Sequence, residues 1–359
     1  MQKISSVQDA DVADKRVVVR VDYNVPLKEG RVLDDTRIAL SLPTLKLLKE
    51  KGASKLILLT HVGRPTGTEG ALRVAPIAAR LREMLGDPGI ELRENLRFDP
   101  REEEGSEDFA KELALLGDVY VNEAFSVSHR PHTSVIFLPK LLPHYAGLRF
   151  IEEIEKLSAA LTPPPKSLAL VGGAKFETKE ALLEKLLGLY DKVFLGGALA
   201  DDILKARGMP FGGSLVSQVP VPTVLAGNEK LIAPGDAAVV AEGVTRGRTT
   251  PVNDVRAHER IVDIGPTTAA AWAAELAQAP FVVWNGPMGI YEQGFREGTD
   301  TLAKALAASS ARALIGGGDT IAAIKQFSFD PKRVYLSSGG GAMLQFLSDG
   351  TLPGIEALK

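Results

Sequence analysis

Along most of the chain, short runs of β-branched and aliphatic residues alternate with longer segments whose apolar positions recur every third or fourth residue. The short runs predict strands at Val17–Val21, Lys55–Thr60 and Val119–Asn122. In the second half they predict strands at Ser167–Val171, Lys192–Leu195, Ala237–Val240, Arg260–Ile264, Phe281–Trp284, Ala311–Ile315 and Arg333–Leu336. The longer segments predict helices at Leu42–Glu50, Pro76–Leu85, Ser106–Leu116, Thr178–Tyr190, Thr267–Gln278, Thr301–Ala308 and Thr320–Phe327. Alternation of this kind is what a parallel sheet with helices on both faces requires.

The pattern changes once, near the middle. Phe150–Leu161 reads as a helix with Ile151, Ile154 and Leu157 at a spacing of three, and Thr162-Pro163-Pro164-Pro165 forbids its continuation. A helix closed by a proline run is a stiff connector. With 359 residues the chain also exceeds one ordinary core. The expected fold is therefore α/β, with two doubly wound parallel-sheet (Rossmann-like) domains joined by a hinge helix. Residues 1–150 form the first domain, 151–166 the hinge helix and linker, 167–344 the second domain, and 345–359 a terminal segment.

Composition narrows the chemistry. Hydrophobic residues make up 45% and charged residues 24%, the range of a soluble globular protein. A net charge of −3 gives no general basic field for nucleic acid, so anions must be recognised by a local cluster. The absence of cysteine excludes disulfides, thiolate zinc sites and cysteine nucleophiles. The opening MQKISSVQDADVADKR has no signal-peptide apolar stretch, and no apolar run reaches about 18 residues. The expectation is a cytoplasmic protein acting on small molecules, with neither membrane nor nucleic acid as partner.

Ligands of open parallel sheets bind beyond the C-terminal strand ends. In the second half those ends are glycine-rich: Gly172-Gly173, Gly196-Gly197, Gly265-Pro266, Asn285-Gly286-Pro287, Gly316-Gly317-Gly318 and Gly339-Gly340-Gly341. One such pair would be a tight turn; six on one predicted edge point to backbone cradles for phosphate. The first half ends its strands in Asp22-Tyr23-Asn24 and His61-Val62-Gly63-Arg64, with Glu94-Asn95-Leu96-Arg97 and His129-Arg130 elsewhere. Arginine forks grip carboxylate and phosphate with two prongs, so this half predicts a cationic basket for a small polyanion. No GxxxxGK[ST] loop, no GxGxxG between strand and helix and no His-Glu-x-x-His is present. His129 and His132 lack a third ligand nearby in sequence, and a structural role is expected for them.

The strand ends also spell out a family. Val19-Arg20-Val21-Asp22-Tyr23-Asn24-Val25-Pro26, Asp35-Thr36-Arg37-Ile38, His61-Val62-Gly63-Arg64-Pro65, Glu94-Asn95-Leu96-Arg97-Phe98 and His129-Arg130 resemble the first-domain motifs of the phosphoglycerate kinase family. The resemblance continues in order through Val171-Gly172-Gly173-Ala174-Lys175, Asp263-Ile264-Gly265-Pro266-Thr267, Val283-Trp284-Asn285-Gly286-Pro287-Met288-Gly289, Gly316-Gly317-Gly318-Asp319-Thr320 and Gly339-Gly340-Gly341-Ala342. It spans essentially the whole chain. It implies reversible transfer of a phosphoryl group between ATP and 3-phosphoglycerate, giving ADP and 1,3-bisphosphoglycerate, with Mg²⁺ as cofactor.

Carried over residue by residue, the resemblance implies an acid-substrate site of Asp22, Tyr23, Asn24, Arg37, His61, Val62, Gly63, Arg64, Arg97 and Arg130. The implied nucleotide site is Lys179, Asn285, Glu292, Gly317, Gly318, Asp319 and Thr320, with Glu292 on the ribose and Asp319 as the magnesium ligand. Arg37, Lys175 and Gly340 would face the transferring phosphoryl group. The resemblance further implies that the C-terminal segment, from about Gln345, returns to the first domain. The chain departs from the family pattern at Glu123 and Ser126, at Phe176-Glu177 and at Ala198–Asp202, positions that bear on nucleotide contacts rather than on the reaction. Two competing expectations, a nucleotide-binding protein without turnover and a dinucleotide oxidoreductase, fit less well. The first would be expected to lose Arg37, Lys175 or Asp319, and the second needs the missing glycine fingerprint.

Overall fold

Val17, Val18 and Val19 have no exposed surface, and the strand they occupy, β1 (Arg16–Arg20), is the centre of a five-stranded parallel sheet. This is seen in a computed structural model that describes residues 4–87, 89–173, 176–241, 244 and 247–359. A small hairpin of β2 (Leu27–Lys28) and β3 (Arg31–Val32) follows β1. Then come β4 (Lys55–Leu59), β5 (Glu91–Leu92), β6 (Val119–Asn122) and β7 (His144–Ala146), giving the order β5-β4-β1-β6-β7. The register places Arg20 beside Leu59 and Asn122. The segments after three strands, beginning at Val21, Thr60 and Glu123, are thereby delivered to one edge.

The helix crossing from this hairpin to β4 runs over Thr36–Glu50, earlier than the predicted Leu42–Glu50, and carries Pro43 in its interior. Proline there removes a backbone donor and disfavours helix. Packing overrides that preference, because Ile38, Leu45 and Leu48 are fully buried in the core shared with Val17, Val19 and Val21. Arg37 is thereby fixed in a first helical turn.

In the second half, β8 (Leu168–Val171), β9 (Lys192–Leu195), β10 (Leu231–Ile232), β14 (Phe281–Asn285), β15 (Arg312–Gly316) and β16 (Val334–Ser337) form a parallel sheet in the order β10-β9-β8-β14-β15-β16. The strands β11 (Asp236–Ala241), β12 (Arg248–Pro251) and β13 (Glu259–Ile264) make a separate three-stranded sheet in which β11 pairs antiparallel with both neighbours. The sequence expectation had placed Ala237–Val240 and Arg260–Ile264 in the parallel sheet, and this is corrected. A parallel crossover needs a dozen or more residues, usually a helix; here β12 folds straight back instead. Gly265-Pro266 therefore opens the helix Pro266–Leu276 away from the parallel edge. Five of the six predicted glycine clusters remain on that edge, after β8, β9, β14, β15 and β16.

Packing divides the chain into Met1–Glu155 with Asp349–Lys359, and Lys156–Ser348. The division falls within the helix Leu148–Ala160. The last segment belongs to the first unit: Leu352, Ile355 and Leu358 are buried, and Gly354 N–H donates to the Ser128 carbonyl (2.8 Å). Gln345 to Ser348 instead lie on the helix Gly340–Asp349.

Candidate active site

Beyond β1 and β4 the first unit gathers its cations through a chain of short bonds. Asn24 Oδ1 accepts the Gly63 N–H (2.9 Å), which ties the two strand-end loops together. Asp22 Oδ2 accepts from both Arg37 Nη1 and Ser126 Oγ. Arg97 Nη1 donates to the Gly63 carbonyl (2.5 Å), and its Nε lies 3.0 Å from Glu103 Oε1. Arg97 is nearly buried, and burial lowers its pKa, opposed by Glu103 and aided by the charges of Arg130, Arg20 and Arg64. A guanidinium still keeps its proton at neutral pH. Arg64 is exposed, Arg130 is half-buried, and Arg37 is partly exposed. Asp22, Asn24, Arg37, Gly63 and Arg97 are thus linked at one sheet edge, with Arg64 and Arg130 within electrostatic reach of Arg97.

Two predicted residues serve the frame. The Tyr23 ring is fully buried, its hydroxyl against Ser41 Oγ (2.7 Å), while its N–H donates to Thr60 Oγ1 (2.9 Å). Val62 lies in the same core, and Asn95 holds its backbone from both sides, accepting its N–H (3.0 Å) and donating to its carbonyl (2.8 Å).

Three contributors escaped the sequence reading as site residues. Arg20 is fully buried beneath the basket, donating to Ser134 Oγ (2.8 Å), to the Val21 carbonyl (2.6 Å) and to His61 Nδ1 (3.2 Å). Its signal was a charge closing an apolar strand, VVVR. Because arginine only donates, His61 Nδ1 must accept, which leaves the ring proton on Nε2. Burial, then Arg20 and Arg97, hold His61 well below the usual imidazole pKa, so the ring is neutral. Glu102 is the fully buried counter-charge, 4.0 Å from Arg20 and accepting from Ser134 N–H (3.0 Å) and Oγ (2.6 Å). The third is Asn95, described above.

His132 is also buried and neutral, its pKa pushed down to about 3 by desolvation and then by Arg20. It and His129 stand among the arginines, and among the described residues no group of three or more His, Cys, Asp or Glu side chains is placed to hold a metal. Glu123 sits under the same sheet edge and Ser126 on Asp22, so these two departures from the family pattern belong to the first unit, and the expectation that they bear on nucleotide contacts is corrected. Thr44 Oγ1 donates to Glu123 Oε1 (2.7 Å), Glu123 Oε2 has no partner among the described residues, and burial pushes its pKa up to about 8.

The second unit is built differently. Lys179 is nearly buried, its Nζ donating to Asn285 Oδ1 (2.5 Å), and burial lowers its pKa to about 8 against the pull of Asp319. Asn285 Nδ2 donates to the Gly316 carbonyl (2.9 Å), and Thr320 Oγ1 accepts the Gly286 N–H (2.7 Å). These bonds lock the ends of β14 and β15 together. Gly317 has φ +102°, a conformation L side chains rarely adopt. A Cβ on Gly340 would come within 2.8 Å of Gly317 Cα, so the loops after β15 and β16 touch through backbone alone. Gly318 and Asp319 open a helix here, and Asp319 is exposed. Lys175 lies outside the described residues.

Beside these loops is a cavity of about 300 Å³, bordered by Gly173, Gly197, Asp201, Asp263, Glu292 and Asp319 among others. Glu292 and Asp319 share its rim, while Leu215, Ile261 and Ile290 supply apolar surface. An apolar slot with convergent polar groups next to amide-lined loops suits a nucleotide.

Comparison with known proteins gives one answer. The sequence model of a single family, described as "Phosphoglycerate kinase", matches residues 7–92 and 87–350. A phosphoglycerate kinase of Thermomicrobium roseum is 41% identical, covering 98% of each chain, and one of Moorella thermoacetica is 40% identical, again covering 98% of each. Among solved structures, phosphoglycerate kinase from Coxiella burnetii has a TM-score of 0.87 with 36% identity, covering 99% of each chain. The enzyme from Pyrococcus horikoshii has a TM-score of 0.84 with 28% identity, covering 99% of this chain and 98% of that one.

Proposed function

The chain belongs to the phosphoglycerate kinase family, and on that premise we propose which residues bind the two substrates and how the transfer is made. The enzyme is a phosphotransferase, moving a phosphoryl group reversibly between ATP and the carboxylate of 3-phosphoglycerate to give ADP and 1,3-bisphosphoglycerate. The basket of the first unit binds the acid. Arg64, Arg97 and Arg130 take its distal phosphate, while Asp22, Asn24, His61 and the Gly63 backbone orient the rest. The bonded linkage of Asp22, Asn24, Arg37, Gly63 and Arg97 at one sheet edge carries this assignment. The second unit binds the nucleotide, with Lys179, the Gly317–Gly318 backbone and Thr320 at the phosphates and Glu292 at the ribose.

The attacking atom is a carboxylate oxygen, already ionised at neutral pH, so no general base is needed. A new bond forms from that oxygen to the terminal phosphorus as the bond to the ADP oxygen breaks. Catalysis is then a matter of position and of donors aimed at the moving charge. Arg37, Lys175 and the Gly340 N–H are assigned to that task. Asp319 fits a magnesium ligand, since Mg²⁺ is usually held by one or two carboxylates together with substrate phosphates. The ion, when bound, would offset phosphate charge.

The substrates sit on different units, so we infer that the units close when both are bound. Solution scattering should then report compaction with both ligands together and less with either alone; identical profiles would reject closure. Cytoplasmic location and a monomeric state belong to the same proposal, the latter checked by sedimentation. The deciding experiment is a coupled assay in which 1,3-bisphosphoglycerate is reduced as it forms. Turnover should require ATP, 3-phosphoglycerate and Mg²⁺ together, and its absence from the folded protein would overturn the reading.

A further inference from the structure

The cavity beside Asp319 is bordered by four carboxyl groups, and three are accounted for. Glu292 and Asp319 are exposed to water at its rim. Asp263 accepts the N–H groups of Ile264 and Gly298, each at 2.9 Å. Asp201 differs from all of these. It lies on the helix Ala198–Ala206, is 2% exposed, and its buried Oδ1 has no hydrogen-bond partner among the described residues. Its neighbour Asp202 does have a partner, accepting the Ser217 N–H at Oδ1 (2.6 Å).

Burial first, and then the neighbouring charge of Asp202, raise the Asp201 pKa well above the carboxylate range. Both causes favour the protonated form, which presents an O–H donor beside a C=O acceptor. Around it the cavity is largely apolar, with Leu215, Ile261, Pro287 and Met288 in the wall. A flat aromatic ligand carrying an adjacent donor and acceptor is complementary to such a slot. Adenine carries that pair, its 6-amino group standing next to a ring nitrogen on either side.

We propose that Asp201 is a base-recognising residue, pairing its carboxyl group with the 6-amino group and an adjacent ring nitrogen of adenine. The inference rests on the cavity being the nucleotide site. It assigns a role to a residue at which this chain departs from the family pattern, and the role concerns binding and not the transfer step.

The test is calorimetric titration of the full chain with ADP and with purine riboside diphosphate, which lacks only the 6-amino group. The wild type should bind ADP about tenfold more tightly, the size of one hydrogen bond. In Asp201→Leu the preference should vanish, with ADP losing about tenfold more affinity than the analogue, which forfeits only the bond to its ring nitrogen. Asp201→Asn, which keeps a donor beside an acceptor, should retain it. Equal affinity of the wild type for the two compounds would overturn the proposal without any variant. So would a preference that survives in Asp201→Leu. If the folded protein binds neither compound, the nucleotide assignment itself falls, and the proposal with it.

Discussion

The two candidate sites offer an anion opposite kinds of attraction. In the first unit the attraction resides in long side chains, and three of the cations stand against carboxylates: Arg37 by Asp22, Arg97 by Glu103, and Arg20 by Glu102. In the second it resides in glycine amides and one nearly buried lysine, with Asp319 and Glu292 on the same rim. Side-chain charge can be aimed at a moving centre, but it is screened by salt and held by its counter-ions. Amide charge is fixed by the fold, and at Gly317 and Gly340 it leaves no room for a Cβ. A site of the second kind, edged by carboxylates, takes a highly charged phosphate best when a cation arrives with it.

Replacing Arg37 by Ala attacks the aimed charge directly. The expected loss is about 10²–10³-fold in kcat with little change in KM for the acid, as for removal of one transition-state donor. A pure KM effect in steady-state kinetics would place Arg37 with the ground-state binders and erase that half of the contrast.

Lys179→Met tests the other half. ADP affinity should fall roughly 30- to 100-fold by titration, the worth of a charge-assisted hydrogen bond. The folded lysine releases its proton at about 8 and the unfolded one near 10.5. Its buried charge therefore destabilises the fold below pH 8, and the penalty is relieved as pH rises from 8 to 10.5. The Met variant should accordingly melt a few degrees higher than wild type at pH 7, with the difference shrinking by pH 10.

Arg64→Ala removes an exposed member of the basket. KM for 3-phosphoglycerate should rise about tenfold with kcat nearly kept, and the residual KM should depend less on salt than in wild type. An unchanged KM would remove Arg64 from the site.

The smallest effect is expected at Glu123. Its carboxyl is raised to about 8 from an ordinary 4.5, so the native state holds a proton that the unfolded chain has lost across that interval. Stability contributed by this group is present below pH 4.5 and declines as pH rises toward 8. Glu123→Gln should flatten the fall in melting temperature between pH 5 and 8, and an unaltered slope would show that the group is ionised in the native protein.

Much of this was legible before any fold was known, and what was not has physical causes. The strand runs and the glycine clusters are local signals, and β6 appears with the bounds its apolar run predicts. The start of the helix at Thr36 was hidden by Pro43, because packing of Ile38 outweighs a local preference. The antiparallel strands β11 and β13 look like core strands of a parallel sheet, since burial on both faces reads the same way in either topology. In the site, the residues proposed to touch ligands stand in polar motifs at the strand ends, which the sequence displays directly. Arg20, Glu102 and Asn95 act from beneath, and their partners Ser134 and Val62 lie 114, 32 and 33 residues away. Nothing near them in sequence announces such a bond.

The return of Asp349–Lys359 to the first unit has a consequence for synthesis on the ribosome. Every residue of the second unit is translated between Glu155 and the segment that buries Leu352, Ile355 and Leu358 against the first. At about 5–20 residues per second, the nascent first unit waits on the order of ten seconds or more with that apolar seat uncovered. The second unit has no such wait, as its chain is contiguous. Chaperone engagement during translation should therefore concentrate on the N-terminal portion, and the unit made first should be the one completed last.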